Sequence, residues 1–271
     1  MYSFGPLPRQ KRSGRVIGTH QKIDRVARRH LTDYLDEQLP FPDIRTILHF
    51  EGLRGPDGIK LKSPGRDEPW HFIDPNNPYD DDRLLVALRE HRENLISALR
   101  QADMVRAAFE AAWLAHVVAD GLTPAHHEPY EEHVQNIKND TKKVRDKIIM
   151  SGKGSHREFI RNNWQHWGAK GVLTTHTLFE AGVATTAKPL RFTHLALSTR
   201  EIEKLNNEGF ETLYLEMLDQ IASLNMYAAF KRRGWTQTLA RQTTQTLLPT
   251  VIRAVILAWY DAYAHAVERS S

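Results

Sequence analysis

Cysteine is absent from the 271 residues. That excludes disulfide staples and thiolate metal sites, so any transition-metal centre here must be built from imidazole and carboxylate. Long apolar runs are scarce as well. The amino-terminal stretch MYSFGPLPRQKRSGRVIG carries basic residues but no apolar core of the signal-peptide kind. The most hydrophobic stretch, LLPTVIRAVILAWYDAYAHAV, is interrupted by Pro249 and Arg253 and falls short of a membrane span. It reads as a buried core helix. Convincing period-2 strand segments are missing, and so are internal repeats and any linker that would divide the chain. Together these absences predict a single all-α domain.

The composition that remains is that of a soluble globular protein. Hydrophobic residues make up 41% and charged residues 26%, which excludes wholesale disorder. The length suffices for one sizeable core. A net charge of +4 suits an anionic ligand, whether nucleic acid, phospholipid headgroup or phosphate ester, without choosing among them. The abundant residue with chemistry is histidine, present 14 times.

Along the chain, residues 1–17 read as a flexible basic segment and 18–271 as the domain. Helical periodicity runs from 18 to 39, with Ile23, Val26, Ala27 and Leu31 on one face. Residues 40 to 80, rich in Pro, Gly and Asp, predict a long structured loop, which in a compact domain is usually functional. The acidic run at 80 to 82 caps a helix that continues to about 119, with a break near Asp103. A polar helical excursion occupies 131–157. Apolar periodicity returns from 158 to 183, then in two long helices at 199–232 and 236–267.

One stretch stands out: AAWLAHVVADGLTPAHHEPY. It begins as a buried helix yet places His116 and Asp120 four residues apart, on one face and about 5–6 Å between Cβ atoms. Beyond Pro124 comes His126. A second pair with the same spacing, His176 and Glu180, lies in VLTTHTLFEAG. A His-x-x-x-acid pair arises about once or twice by chance at this composition, and the longer pattern through His126 about a tenth of the time. His71, in EPWHFIDP, and His20, in GTHQKID, are further candidates. Asp57, in a Gly-Pro-Asp-Gly turn, can aim a carboxylate inward, and Glu51 is its rival. Buried charged pairs are costly and seldom kept without a purpose. His127, His133, His156 and His166 read as solvent-side groups or partners of a ligating imidazole, and KRRGW at 231–235 as a charged turn between helices.

The ordered series GTH, PDG, PWHFIDP, HVVADGLTPAH and HTLFE resembles the zinc-dependent phospholipase C and S1-P1 nuclease superfamily, closer to its phospholipase C branch. The resemblance implies an all-α domain with up to three zinc ions between helices and a long loop. Carried onto this sequence, it implies that Asp57, His71, His116 and Asp120 hold one zinc. His126, His176 and Glu180 hold a second, and His20 with Asp120 as bridging carboxylate a third. Two departures stand out. The family completes its third zinc with an N-terminal tryptophan, which the residues preceding His20 do not contain, and the spacing from His126 to His176 is longer than usual.

Imidazole and carboxylate leave zinc open positions for water and lower the pKa of that water to near 7. The expected activity is therefore phosphodiester hydrolysis, with Asp57 and Asp120 as the catalytic carboxylates, a monomeric enzyme, phospholipid substrate and peripheral membrane contact. The resemblance also implies export. The alternatives are a single-strand nuclease or 3′-nucleotidase, for which Trp164 and Trp167 supply a stacking slot, and a non-catalytic helical protein stabilised by metal.

Overall fold

The computed structural model describes residues 18–36, 39–51, 55–56, 71–128 and 172–268, and among these every regular element is helical. Helix α1 is Thr19–Leu31, followed by a 3-10 turn at Thr32–Tyr34. Its buried face carries the expected Ile23, Val26, Ala27 and Leu31. The helix stops short of residue 39 because tertiary bonds draw the chain away. The Tyr34 hydroxyl donates to the Leu197 carbonyl, and the Tyr263 hydroxyl bonds both the N–H and the C=O of Asp36.

Inside the region read as loop, α2 spans Ile44–His49. Asp43 starts it by accepting from the Arg45 and Thr46 amides. Helix α3 is Arg83–Arg100 and α4 is Met104–Gly121. Their break falls at Asp103, which caps α4 through the Arg106 amide, with Ala102 in the left-handed region at φ 53°. The acidic run before α3 makes no side-chain cap bond: Asp82 stands at the cap position and Asp81 pairs with Arg83. Its contribution is charge near the positive helix end. A 3-10 turn, Pro124–His126, follows α4, and α5 is Val172–Ala187.

The expected long helix at 199–232 is three helices: α6 Thr199–Glu208, α7 Phe210–Ser223 and α8 Met226–Arg233. Gly209 at φ 79° and Asn225 at φ 51° break it, since a right-handed helix cannot pass through positive φ. Beyond α8, α9 (Gln237–Gln242), a π turn (Thr243–Leu247) and α10 (Leu248–Glu268) run on continuously. The wider turn precedes Pro249, which has no N–H to donate and whose ring crowds the turn before it. The stretch Gln237–Glu268 is long and apolar enough to cross a membrane by composition, yet most of it is buried against other helices. Of the KRRGW segment, Lys231, Arg232 and Arg233 form the last turn of α8 and only Gly234 and Trp235 make the turn: Lys231 pairs with Glu128, and Trp235 packs on Phe179.

Helix α4 sits at the centre. It is apolar all round and buried from Ala107 onward save a few positions, which marks an internal helix rather than a surface one. Helix α3 packs along it, and α10 crosses α1, α3, α4 and α7. The buried Trp259 of α10 donates its indole N–H to the Ala111 carbonyl. Helix α2 leans on α1 and α4, while α5 meets α1, α8 and the 3-10 turn. The carboxyl end of α4 is thus ringed by α1, α2, the 3-10 turn and α5.

That end is tightly packed. A methyl group added at Gly121 would collide with the buried Tyr214 hydroxyl and press on Leu84. Gly121→Ala is therefore expected to destabilise the protein by about 1–3 kcal/mol, seen as a lower denaturant midpoint. Adding Tyr214→Phe, which removes the obstructing hydroxyl, should recover part of the loss; equal stability of Gly121→Ala and wild type would contradict the packing.

Candidate metal centre

Six ionisable side chains from four elements converge at the carboxyl end of α4. Helix α1 delivers His20 from its first turn, α4 delivers His116 and Asp120, the 3-10 turn delivers His126, and α5 delivers His176 and Glu180. His20, His116, Asp120, His126 and Glu180 are all buried, and His176 is the most open at 16% exposure. Pro124 makes the arrangement possible by ending the helix, so that His126 turns back under Asp120. The 71–74 segment is tied to the same turn through the Ile73 amide and the His126 carbonyl, 3.1 Å apart.

The donor atoms fall into two groups. In the first, His20 and His116 stack face to face with centroids 4.1 Å apart and planes 9° from parallel. Asp120 lies against both of their Nε2 atoms, with Oδ1 at 3.1 Å from His20 and Oδ2 at 3.2 Å from His116. In the second, His126 and His176 stack with planes 8° from parallel. Their Nε2 atoms are 3.2 Å apart, and each lies near Glu180 Oε1, at 3.3 Å and 3.2 Å. Those three donors form a nearly equilateral triangle. A tetrahedral ion with bonds of about 2.0 Å has donor-to-donor edges of roughly 3.3 Å, so the triangle matches one face of such a site. Both groups, His20–His116–Asp120 and His126–His176–Glu180, can hold a metal ion. Asp120 belongs to the first group, and its Oδ1 lies 3.7 Å from His126 Nδ1, the ring nitrogen that the second group does not use.

The electrostatics agree with that use. A metal needs neutral imidazole and ionised carboxylate. Burial pushes the His126 imidazole down to about 3, only partly opposed by Asp120. Burial works to raise Asp120, but the positive charge around it, that of His126, His116 and His71 included, holds the carboxyl well below the usual range. Glu180 is likewise raised by burial and brought well below by surrounding positive charge, His176 and His126 included. His20 Nε2 and His126 Nδ1 are buried and make no hydrogen bond. Nitrogens left so in a protein interior cost stability unless a ligand satisfies them.

The residues expected from the sequence are distributed as follows. His71 contacts Asp120 through Nδ1. Around Asp120 the structure gathers three of the expected imidazoles together, those of His20, His71 and His116. Asp57 lies outside the described residues, as do Trp70, His133, His156, His166, Trp164, Trp167 and the excursion at 131–157. Glu51, the rival acid, is fully buried at the end of α2, with Oε1 at 3.0 Å from His116 Nδ1. Asp24, one turn after His20 on α1, escaped the sequence reading. It is buried, and its carboxyl is raised well above the usual range, first by burial and then by Glu51. Its spacing from His20, four residues on the buried face of an amphipathic helix, was the available signal. His127 is not among the converging donors: its Nε2 donates to the Gly121 carbonyl at 2.9 Å, tying down the helix end.

Burial pushes His127 down to about 4. The unfolded chain therefore takes up a proton near 6.5 that the folded protein refuses, and His127 costs stability as pH falls from 6.5 towards 4. His127→Gln, whose amide can still donate to Gly121, should gain on wild type by on the order of 2 kcal/mol between pH 8 and pH 5, measured by denaturation at each pH. A stability difference independent of pH would contradict a buried neutral His127.

No family model and no curated protein sequence matches the chain. Among solved structures, the chain is similar to the alpha-toxin of Clostridium perfringens, isolated from avian strain SWCP, with a TM-score of 0.60 at 13% identity. The match covers 93% of this chain and 64% of the toxin, so the chain spans about two thirds of that protein's length. At this identity the likeness is one of fold: the all-α architecture around α4 is one that the toxin shares.

Proposed function

We propose that the chain is a zinc-dependent phosphodiester hydrolase of phospholipase C type, working as a monomer with residues 18–271 as one catalytic unit. The observation that carries the reading is the near-equilateral triangle of His126 Nε2, His176 Nε2 and Glu180 Oε1, set beside a second donor group of His20, His116 and Asp120. Support also comes from the ordered sequence motifs and from the fold shared with the clostridial alpha-toxin.

In this reading His20, His116 and Asp120, with His71 against the same carboxylate, hold one zinc, and His126, His176 and Glu180 hold another. Bound zinc supplies an acidified water near neutral pH and positive charge against the phosphate oxygens. The chain's own contribution is to hold its donors ready. Asp120 would serve the first group through both oxygens, Oδ1 towards His20 and Oδ2 towards His116 and His71, and its negative charge would offset that of a bound cation. Burial keeps the His126 imidazole neutral, and charges in so enclosed a site act through a low dielectric. His176, the most open member, marks the side from which a substrate phosphate enters. Phe72 flanks that side, its ring 5.4 Å from His126 and 6.5 Å from His176 by centroids. An apolar flank beside a cationic centre suits a phospholipid more than a bare phosphate monoester. Peripheral contact with a membrane surface belongs to the same reading.

Asp120→Asn is expected to lose metal from the first group and to lower turnover of phosphatidylcholine by at least about 10³-fold, given that the carboxylate is that group's acidic donor. Metal content and headgroup release, measured on the same preparations, check this. Full metal content and full activity in the variant would reject a ligand role for Asp120. Cleavage of single-stranded DNA in place of phosphatidylcholine by the wild type would replace the phospholipase reading with the nuclease one. Bound metal without turnover of either substrate would leave a metal-stabilised helical protein.

A further inference from the structure

The two imidazoles of the first donor group are stacked in register, and acids face them from opposite edges. Asp120 lies along their Nε2 edges, as described. Along the Nδ1 edges lies Glu51, whose Oε1 is 3.0 Å from His116 Nδ1 and 3.9 Å from His20 Nδ1. Glu51 is completely buried. Keeping a carboxylate in such a place is costly before its interactions are counted, and a second buried acid, Asp24, is set close enough to feel its charge. The fold nevertheless goes to some length to deliver it. Asp43 starts α2, Ile47 buries the helix against α1 and α4, and Gly55 lies so close to its end that a side chain there would strike the Phe50 and Glu51 carbonyls.

We infer that Glu51 is a positioning residue: it accepts the Nδ1–H of His116, fixes the tautomer and ring angle that turn Nε2 towards Asp120, and holds the stacked His20 in line. The inference rests on the metal-site reading above. Its physical basis is general. An imidazole that binds metal through one nitrogen is oriented, and made more basic, by an acceptor at the other, and loss of that acceptor weakens metal binding about 10–100-fold. A 3.0 Å approach is a hydrogen bond; 3.9 Å is not, so the effect on His20 is electrostatic and the weaker of the two.

The test compares wild type, Glu51→Gln and Glu51→Ala for zinc affinity by chelator competition and for cobalt(II) absorption, after purification without metal. Glutamine keeps an acceptor for His116 but loses the charge; alanine loses both. The expected order of affinity in the first site is wild type, then Glu51→Gln, then Glu51→Ala, spanning tenfold to a hundredfold, with the number of bound ions and the shape of the cobalt spectrum unchanged in Glu51→Gln. Melting of the metal-free proteins shows whether Glu51→Gln remains folded, so that a drop in affinity is not a drop in stability. Equal affinity in all three proteins overturns the inference. So does the loss of one whole ion with a changed spectrum in Glu51→Gln, which would make Glu51 a ligand. A wild type that binds no metal at all would instead overturn the reading on which the inference rests.

Discussion

The structure depends on placing a carboxylate, Asp120, at the end of its most buried helix. An ion of that kind in an apolar interior is tolerated only when surrounded by groups that compensate it. Here the compensation comes from imidazoles drawn from α1, α4, the 3-10 turn and the 71–74 segment, so one residue's electrostatic demand organises four parts of the chain. The same demand explains the local oddities. Gly121 lets Tyr214 press against the helix end, Pro124 turns His126 back underneath, and His127 fastens the last carbonyl of the turn.

Stability and function pull in different directions at this site. Seven buried or half-buried histidines and acids would be replaced in a fold built only to be stable, since apolar residues of equal volume pack at lower cost. They are nevertheless present in two groups that could each hold a metal ion, and the donor spacing of His126, His176 and Glu180 matches one face of a tetrahedral site. The core built from α3, α4 and α10 is the counterweight: a large apolar interior of Leu, Ala, Val and Trp259 that can carry a polar pocket at one end.

Much of this was legible beforehand, for identifiable reasons. His116 with Asp120 and His176 with Glu180 announce themselves because a four-residue spacing on a helix is a spatial statement, and the helix was plain from its apolar periodicity. The break at Asp103 was likewise written in a cap residue. What the sequence hid was hidden by tertiary context. Helix α2 lay in a region whose Pro and Gly content argues for loop, so Glu51 had no visible partner until α2 leaned on α4. The pairing of His20 with His116 needed the packing of α1 on α4, which no spacing encodes. Gly209 and Asn225 interrupt a run of good helix formers, where a single positive φ outweighs the propensities on either side.

The account's central claim is that divalent ions sit among these side chains. A crystal structure of protein purified without chelators, with diffraction recorded on both sides of the zinc absorption edge, addresses it directly. The account predicts anomalous peaks within bonding distance, roughly 2.0–2.2 Å, of His116 Nε2 with Asp120 and of His126 Nε2 with Glu180. Well-ordered side chains in the same positions with no anomalous signal between them, even after soaking with zinc, would contradict it.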